Sequence, residues 1–262
     1  MTAASIRDRL IASHHRRENV TEDGHDWLVF HRVRFASPLN GTGRPFPGPG
    51  RAEFFRFYPA SPPGETGMRT NVSDEWGGFS LFRTREAAED LFADPKRHLA
   101  FLEDSVEAWH ALAVPFSHRG KVHWHGGARE NSTFATAHSD PGGPLMVLTS
   151  AGYDDPGPAD VPRIANFIRE VDRVQAFYAT LPGNIRRAVY SGAGVDGHDG
   201  MTVSIWRDDA AMLAAAYRPG HHRAQMDHQR DVGHFDRSSF TRTRIIASTG
   251  AWDGGDPVLE IA

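Results

Sequence analysis

The residues best suited to metal chemistry are histidines near the carboxyl end of the chain. Of fifteen histidines in 262 residues, His221, His222, His228 and His234 fall within one short stretch. The pattern predicts a helix from His221 to about Arg230, on which His221 and His222 point about 100° apart, so only one of them can face a sheet. A neutral imidazole facing an apolar cavity is a common axial ligand of non-covalently bound haem. The alternative is that these histidines are solvated side chains after a Pro-Gly break.

Cysteine is missing from the sequence. Disulfides, zinc–thiolate sites, iron–sulfur clusters, cysteine nucleophiles and covalent haem attachment are therefore excluded. A metal would have to bind His, Asp, Glu, Tyr or Met, which favours histidine as the protein ligand of a haem.

A second constellation of metal-ligand residues is His123-Trp124-His125, with Glu130 five residues further on. Two histidines at i and i+2 of a strand point to the same face, and a nearby carboxylate could complete a facial triad for non-haem iron. The alternative is a tryptophan-anchored turn with flanking polar histidines, which we favour. The glycine-rich segments lack the strand–GxGxxG–helix context of a dinucleotide site, and no GxSxG elbow or P-loop is present.

Charge and hydropathy limit the partners. The formal charge is −4, from 29 basic and 33 acidic residues without a Lys/Arg block, so nucleic acid and anionic membranes are not expected. No apolar run approaches the roughly 20 residues that span a bilayer. Met1 to Asn19 is polar and lacks the apolar segment of a signal peptide. We expect a cytoplasmic protein that acts on a small organic molecule.

The elements that must position these residues follow a duplicated strand–helix pattern. Trp76 to Phe82 is predicted as a strand, and Thr84 caps a helix that breaks at Asp94-Pro95. The pattern recurs with a strand from Met201 to Trp206, a cap at Asp208, a helix from Ala211 to Tyr217 and a break at Pro219-Gly220. In the first copy a second helical segment, about Arg97 to Leu112, is predicted after the break. Such a repeat indicates two copies of one supersecondary unit.

The second copy completes a βαββαβ order. It adds a strand from Pro144 to Ala151, a helix from Pro162 to Thr180, and strands near Arg186 to Ser191 and Phe240 to Ser248. The first copy is less regular, because Pro/Gly-rich loops occupy its first crossover. The predicted fold class is α+β, with two ferredoxin-like halves in a dimeric α+β barrel type of fold. The expected division is a polar arm at 1–24, a first half at 25–140 and a second half at 141–262.

The second half resembles the spheroidene monooxygenases. The residues that carry this resemblance are Val203-Ser204-Ile205-Trp206, Ala211-Met212, Ala216-Tyr217, His222 and Gly233-His234-Phe235. The segment from Trp252 to Pro257 is similar to that family's closing turn. The resemblance is good from about Gly120 to Pro257 and weak from Phe54 to Ala113.

The resemblance implies a haem-dependent enzyme of the dimeric α+β barrel group, which includes aldoxime dehydratases, chlorite dismutases and dye-decolourising peroxidases. His222 falls on the family's histidine and is the expected ligand of a non-covalent haem b. Met226 shares its helix face, and Trp206 and Tyr217 come from the matching segments, so these are the further cofactor-contact candidates. The implied activity is monooxygenation or peroxygenation in secondary metabolism, with an electron donor or peroxide as co-reactant. A homodimer is favoured by the fold analogy.

Two departures from the family concern substrate handling. Ser150 stands where the family usually has an arginine, and Val195 stands where it usually has a glutamate. Carotenoid oxidation is therefore not carried over, and aldoxime-type dehydration is the alternative chemistry. A polar distal group is expected in either case, and the candidates are Arg97, His98, Ser150 and Arg129. Two further hypotheses stay open: non-haem iron on His123, His125 and Glu130, and a cofactor-free ligand-binding module.

Overall fold

The computed structural model describes residues 24–41, 46–121, 134–153, 156–194, 197–217 and 236–261. Most of the predicted arm, 1–24, therefore lies outside the described residues. The described residues form one antiparallel sheet with the strand order β2-β3-β1-β4-β8-β5-β7-β6. The strands are β1 Trp27–Asn40, β2 Phe54–Pro59, β3 Val72–Phe82, β4 Ser105–Gly120, β5 Leu145–Tyr153, β6 Asn184–Gly194, β7 Gly197–Trp206 and β8 Arg237–Gly250.

The sheet consists of two ferredoxin-like halves, as predicted. In each half the first and third strands lie in the middle, so β2-β3-β1-β4 and β6-β7-β5-β8 follow the same order. The halves join through antiparallel pairing of β4 with β8. The second half has a crossover helix between β5 and β6, whereas the described part of the connection from β1 to β2 is loop. The predicted irregularity of the first crossover is thus confirmed.

The sheet curls into a barrel whose two edge strands approach each other. The hydroxyl of Tyr190 on β6 donates to Glu75 on β3 across this seam. A methyl group on Gly192 would lie 3.4 Å from the ring of Tyr58 on β2. Large apolar side chains from both halves fill the interior, among them Phe30, Phe79, Trp109, Leu148, Met201, Val203 and Ile205. The two halves therefore share one core.

Helices cover the outer face of the sheet, and all but the short second one start within two residues of a correctly predicted helix. They are α1 Arg85–Ala93, α2 Pro95–His98, α3 Val161–Ala179 and α4 Asp209–Tyr217. The hydroxyl of Thr84 accepts a hydrogen bond from the amide of Ala87, and Asp208 accepts one from the amide of Ala211 at 2.7 Å. Both predicted caps are confirmed. Among the described residues, no helix combines the length and the apolar character needed to cross a membrane.

The predicted helix from Arg97 to Leu112 is wrong. The short helix α2 ends at His98, a 3₁₀ turn follows at Ala100–Asp104, and Ser105–Gly120 is the strand β4. Strand β4 lies between β1 and β8 and is covered on both faces, so Trp109, Leu112 and their neighbours form a continuous apolar run. Such a run lacks the alternation that distinguishes a strand from a buried helix.

An internal pseudo-twofold relation makes positions in the two halves equivalent. Trp27 pairs with Phe82 in the first half as Leu145 pairs with Trp206 in the second. Gly120 and Gly250 end the equivalent strands β4 and β8 with φ of +87° and +90°, a conformation that favours glycine. A Cβ on either residue would lie about 2 Å from a carbonyl oxygen of the neighbouring strand. The equivalence allows the two halves to be compared residue by residue.

Candidate functional site

On the outer, helix-facing side of the second half, a row of partly exposed residues crosses four strands. We call it the open row. Val189, Thr202, Thr149 and Phe240 are paired neighbours on β6, β7, β5 and β8. Thr149 is exposed, the Phe240 ring is 36% exposed, and the other two are half-buried. The next row toward α4 contains the buried Ser204 and Val147. The helices among the described residues thus leave the middle of this face uncovered.

Two separate apolar clusters border the open row. On one side, Trp206 and Leu145 pack against Tyr178 of α3 and Met212 of α4. On the other side, Tyr153 packs against Ile164 and Ile168 of α3. Small and hydroxyl-bearing side chains occupy the sheet between these clusters.

Arg187 adds a positive charge beside the open row. It occupies the position on β6 that pairs with Ser204, and it donates weakly to Asn184 Oδ1 at 3.5 Å. Burial lowers the pKa of its guanidinium. Within the described ranges, no carboxylate lies at ion-pair distance from Arg187. The face can therefore accept a ligand with an acidic edge.

The structure separates the predicted site residues that it describes. Trp206 is 1% exposed, and its indole nitrogen donates to Ser204 Oγ at 2.8 Å on the helix-facing side. Ser150 points to the barrel interior, where its hydroxyl lies 2.6 Å from that of Ser239. Arg97 and His98 lie on α2 in the first half, with His98 Nε2 at 3.4 Å from Asp90. One pocket cannot contain both Trp206 and Ser150, because they lie on opposite faces of the sheet.

Several predicted residues fall outside the described part of the chain. These are His222, Met226, Arg129 and the proposed iron triad of His123, His125 and Glu130. Tyr217 is the last residue of α4. Within the described ranges, no three His, Asp or Glu side chains are grouped as metal ligands. The proposed ligand roles of these residues stay predictions.

In the first half, two buried histidines occupy the positions that correspond to part of the open row. His31 and His110 are the counterparts of Thr149 and Phe240, and both are buried. Their Nδ1 atoms lie 2.9 Å apart, and His31 Nε2 lies 3.0 Å from Ser80 Oγ. Burial lowers the pKa of His110 to about 4 and, together with the charge of His110, lowers that of His31 well below its ordinary value. The pair is neutral at pH 7.

The barrel interior contains two polar networks at equivalent positions. In the first, the fully buried Arg32 forms ion pairs with Glu75 and Glu107, and Tyr190 from the other half donates to Glu75. This network lies beside the closing segment at 251–261, whose Asp253 also contacts Arg32 at 3.1 Å. Hydrogen bonds to backbone amides and to Arg32 lower the pKa of Glu107 despite an opposing effect of desolvation. This first network links β1, β3 and β4 to β6, the edge strand of the other half, and so helps to close the barrel.

The second network combines two arginines with one carboxylate. Asp199 accepts from Arg237 at 2.8 Å and from Arg56 at 3.3 Å, and all three side chains are nearly inaccessible. Tyr58, the counterpart of Tyr190, hydrogen-bonds to Asp199, and burial raises its pKa to about 12. Gly152 makes room for this cluster, because a Cβ there would lie 2.1 Å from Asp199 and 2.7 Å from Arg237.

Neither the inner networks nor the histidine pair was predicted. The missed residues are His31, Arg32, Arg56, Tyr58, Asp199 and Arg237. A signal was present for some of them: Arg56 is a charged residue within an otherwise apolar strand sequence, and Arg32 directly follows the apolar run from Trp27 to Phe30 and His31. A charge in such a strand requires a buried partner. Which partner it meets depends on strand register, which the sequence patterns did not supply.

Comparison with solved structures supports the fold. An aldoxime dehydratase in complex with butyraldoxime has a TM-score of 0.55 at 7% identity, covering 85% of this chain and 80% of that chain. A second aldoxime dehydratase has a TM-score of 0.50 at 8% identity, covering 86% and 84%. An anthrone oxidase-like protein is 12% identical over 90% of this chain and 97% of that chain, with a TM-score of 0.33. No family model and no curated protein matches the chain.

Proposed function

We propose that this protein is a haem-dependent oxidoreductase of the monooxygenase or peroxygenase type that acts on a small organic substrate. The observation that carries the proposal is the open row on the helix-facing side of the second half, between two apolar clusters. Its small side chains, the Phe240 ring and the nearby Arg187 fit a flat apolar group with acidic edges. The sequence resemblance adds His222 as the iron ligand.

The chain's own residues would have distinct roles at this site. The imidazole of His222 would bind the iron of haem b, with Met226 on the same helix face. Arg187 would pair with a carboxylate of the cofactor, because its guanidinium is partly buried beside the row. Phe240 would supply an apolar wall, and the hydroxyl of Thr149 could donate to a polar ligand. When bound, haem supplies oxidation of the substrate at the expense of oxygen and an electron donor, or of peroxide.

The ligand assignment is tested by hemin titration. The full chain with hemin should give a strong Soret band that shifts with cyanide. His222→Ala should abolish or shift this band, whereas the matched His221→Ala should leave it nearly intact, because the two side chains point about 100° apart on a helix. Equal losses from both variants, or a wild-type protein that stays spectrally silent, would contradict the proposal.

The location is tested independently by filling the open row. Thr149→Trp places a large ring on the uncovered face and should weaken hemin binding at least tenfold. Thr180→Trp, at an exposed position after α3, is the control and should bind hemin as the wild type does. Both measurements use absorbance and do not depend on a known substrate. Unchanged binding to Thr149→Trp would place the cofactor elsewhere.

A second candidate is an aldoxime dehydratase-like lyase. It is favoured by two of the solved structures with a similar fold, which are aldoxime dehydratases with TM-scores of 0.55 and 0.50. This reaction removes water from an aldoxime to give a nitrile and consumes no net oxidant. Reduced, hemin-loaded protein incubated with butyraldoxime separates the candidates: nitrile formation supports the lyase, and peroxide-dependent oxidation of an organic donor supports the oxidoreductase.

A further inference from the structure

The loop at 60–71, between β2 and β3, distinguishes the first half from the second. Strands β6 and β7 of the second half, which are equivalent to β2 and β3, are joined by residues 195–196 alone. The longer loop folds back on itself, because the amide of Gly64 donates to the carbonyl of Met68 at 2.7 Å. The duplicated fold does not require such an addition, so its position was examined for a role of its own.

The loop docks on α3, a helix of the second half. Arg69 forms an ion pair with Asp172 on this helix and donates to the carbonyl of Ser61 at 2.6 Å. A Cβ on Gly67 would lie 2.8 Å from that of Ala165, so the loop backbone lies directly against the helix. The loop thus connects the first half to the helix that borders the open row.

Met68 supplies the apolar part of this contact. Its side chain packs against the cluster of Tyr153, Ile164 and Ile168, of which the two isoleucines lie on α3. A thioether is apolar and flexible enough to fill such a position. The contact therefore depends on the sulfur staying in its reduced form.

Met68 differs in exposure from the other methionines that the structure describes. Met146, Met201 and Met212 are at most 4% exposed, whereas Met68 is half-buried. A dissolved oxidant reaches a partly exposed thioether more readily than an enclosed one. Among these four residues, Met68 is thus the expected first site of oxidation.

We infer that Met68 is a peroxide-sensitive switch, which holds the loop on α3 as a thioether and releases it as a sulfoxide. The oxidation consumes one molecule of hydrogen peroxide. Its O–O bond breaks, one oxygen bonds to the sulfur, which supplies two electrons, and the other oxygen leaves as water with both protons. The product is polar, and its S–O group would have to lie against an apolar cluster.

Release of Met68 would extend to its neighbours in the chain. Gly67 and Arg69 flank it, and both contact α3, so the loop would leave the helix as a unit. Oxidation would then loosen one border of the open row. The switch itself goes beyond the proposed function and does not rest on it, because the docking of the loop involves no cofactor.

Treatment of the full chain with hydrogen peroxide, without hemin, tests the inference. Peptide mass spectrometry should find one added oxygen at Met68 before any at Met146, Met201 or Met212. Trypsin measures the release, because the Arg69 side chain is only 7% exposed while the loop is docked. Oxidation should raise the rate of cleavage after Arg69 at least tenfold, and methionine sulfoxide reductases of both epimer specificities should restore the original rate.

Two variants make the test decisive. Met68→Leu retains an apolar side chain without sulfur, so peroxide should leave its cleavage rate at the value of the untreated wild type. Met68→Gln places a polar group of similar length against the cluster and should be cleaved, without peroxide, as fast as the oxidised wild type.

Three results would overturn the inference: oxidation of the buried methionines before Met68, an unchanged cleavage rate after oxidation, or an equal response of Met68→Leu to peroxide. His222→Ala should respond to peroxide as the wild type does. Failure of the haem proposal and failure of this switch therefore give different results.

Discussion

The imidazoles of His31 and His110 form a buried titratable pair in the first half. With their Nδ1 atoms 2.9 Å apart, one nitrogen must carry the proton that the other accepts. Protonation of the accepting nitrogen would remove this hydrogen bond, and protonation of either ring would place a charge in a buried site. The pair therefore depends on both rings being neutral.

Acidification should destabilise the protein through this pair. The folded-state pKa values of both histidines are lowered, to about 4 for His110, so below the unfolded value near 6.5 the unfolded chain binds protons that the folded chain does not. Stability should therefore fall as pH decreases from about 6.5 to 4, by up to about 1.4 kcal/mol per pH unit for each histidine. Urea unfolding between pH 7 and 4.5 measures this slope.

The control for this prediction is His110→Asn. Its side-chain amide can still hydrogen-bond to His31 but does not titrate. Its slope should be shallower than that of the wild type over the same pH range. Identical slopes in the two proteins would show that other groups dominate acid unfolding.

Prediction from sequence at this scale failed for a physical reason. His31 and His110 are separated by 79 residues, and their contact depends on the register of β1 against β4. Because the sequence patterns predicted a helix where β4 lies, the pairing could not be inferred. The metal-ligand predictions rest instead on histidines that are neighbours in the sequence, because recognising these requires no knowledge of strand register.

At the scale of elements, the closing segment after β8 is held by side chains rather than by secondary structure. Trp252 packs in the barrel core, with its ring 5.5 Å from that of Trp109 and 6.2 Å from that of Phe30. Asp256 accepts hydrogen bonds from the Trp109 indole at 3.1 Å and from Ser248. This motif, which carried part of the sequence resemblance, therefore has a structural role.

Trp252→Ala should be strongly destabilising. Removing a fully buried indole leaves a cavity beside Trp109 and Phe30, and the expected loss is about 3–5 kcal/mol in the free energy of unfolding. Leu259→Ala, in the same segment but 58% exposed, should change stability by about 0.5 kcal/mol or less. Urea unfolding measures both variants. A small loss for Trp252→Ala would mean that the segment is not part of the cooperative core.

The elements of the second half were predicted well, and β4 was not. Strands such as β7 and helices such as α3 have turn and cap residues at their ends, which local patterns recognise. Strand β4 follows a short helix and a 3₁₀ turn without a Gly or Pro boundary, and both of its faces are buried. The duplication itself contained the missing signal, because the equivalent strand β8 was predicted correctly.

At the scale of the whole molecule, neither half can cover its inner face by itself. Phe30 and Phe79 of the first half share the interior with Leu148 and Val203 of the second, and β4 pairs with β8 along most of its length. Separating the halves would expose this apolar surface to water. The division at 25–140 and 141–262 thus describes topology, and we expect folding to involve both halves together.

Expression of residues 25–140 alone tests this expectation. The fragment should elute as a dimer or larger species, or remain unfolded, because its inner face must be covered. Co-expression with 141–262 should restore a species of full-length size with one cooperative unfolding transition. Size-exclusion chromatography and circular dichroism measure these outcomes. A folded monomer of either half would contradict the interdependence.

The duplication within one chain allows equivalent positions of the two halves to carry opposite charges. In an assembly of two identical halves, the equivalent positions would have to carry the same residue. Here Glu107 lies near the start of β4 and Arg237 begins β8, at opposite ends of an antiparallel pair. Arg32 pairs with two glutamates at one end, and Asp199 pairs with two arginines at the other. The fused barrel thus has different charged residues at the two ends of the β4–β8 pair, an asymmetry that two identical halves could not have.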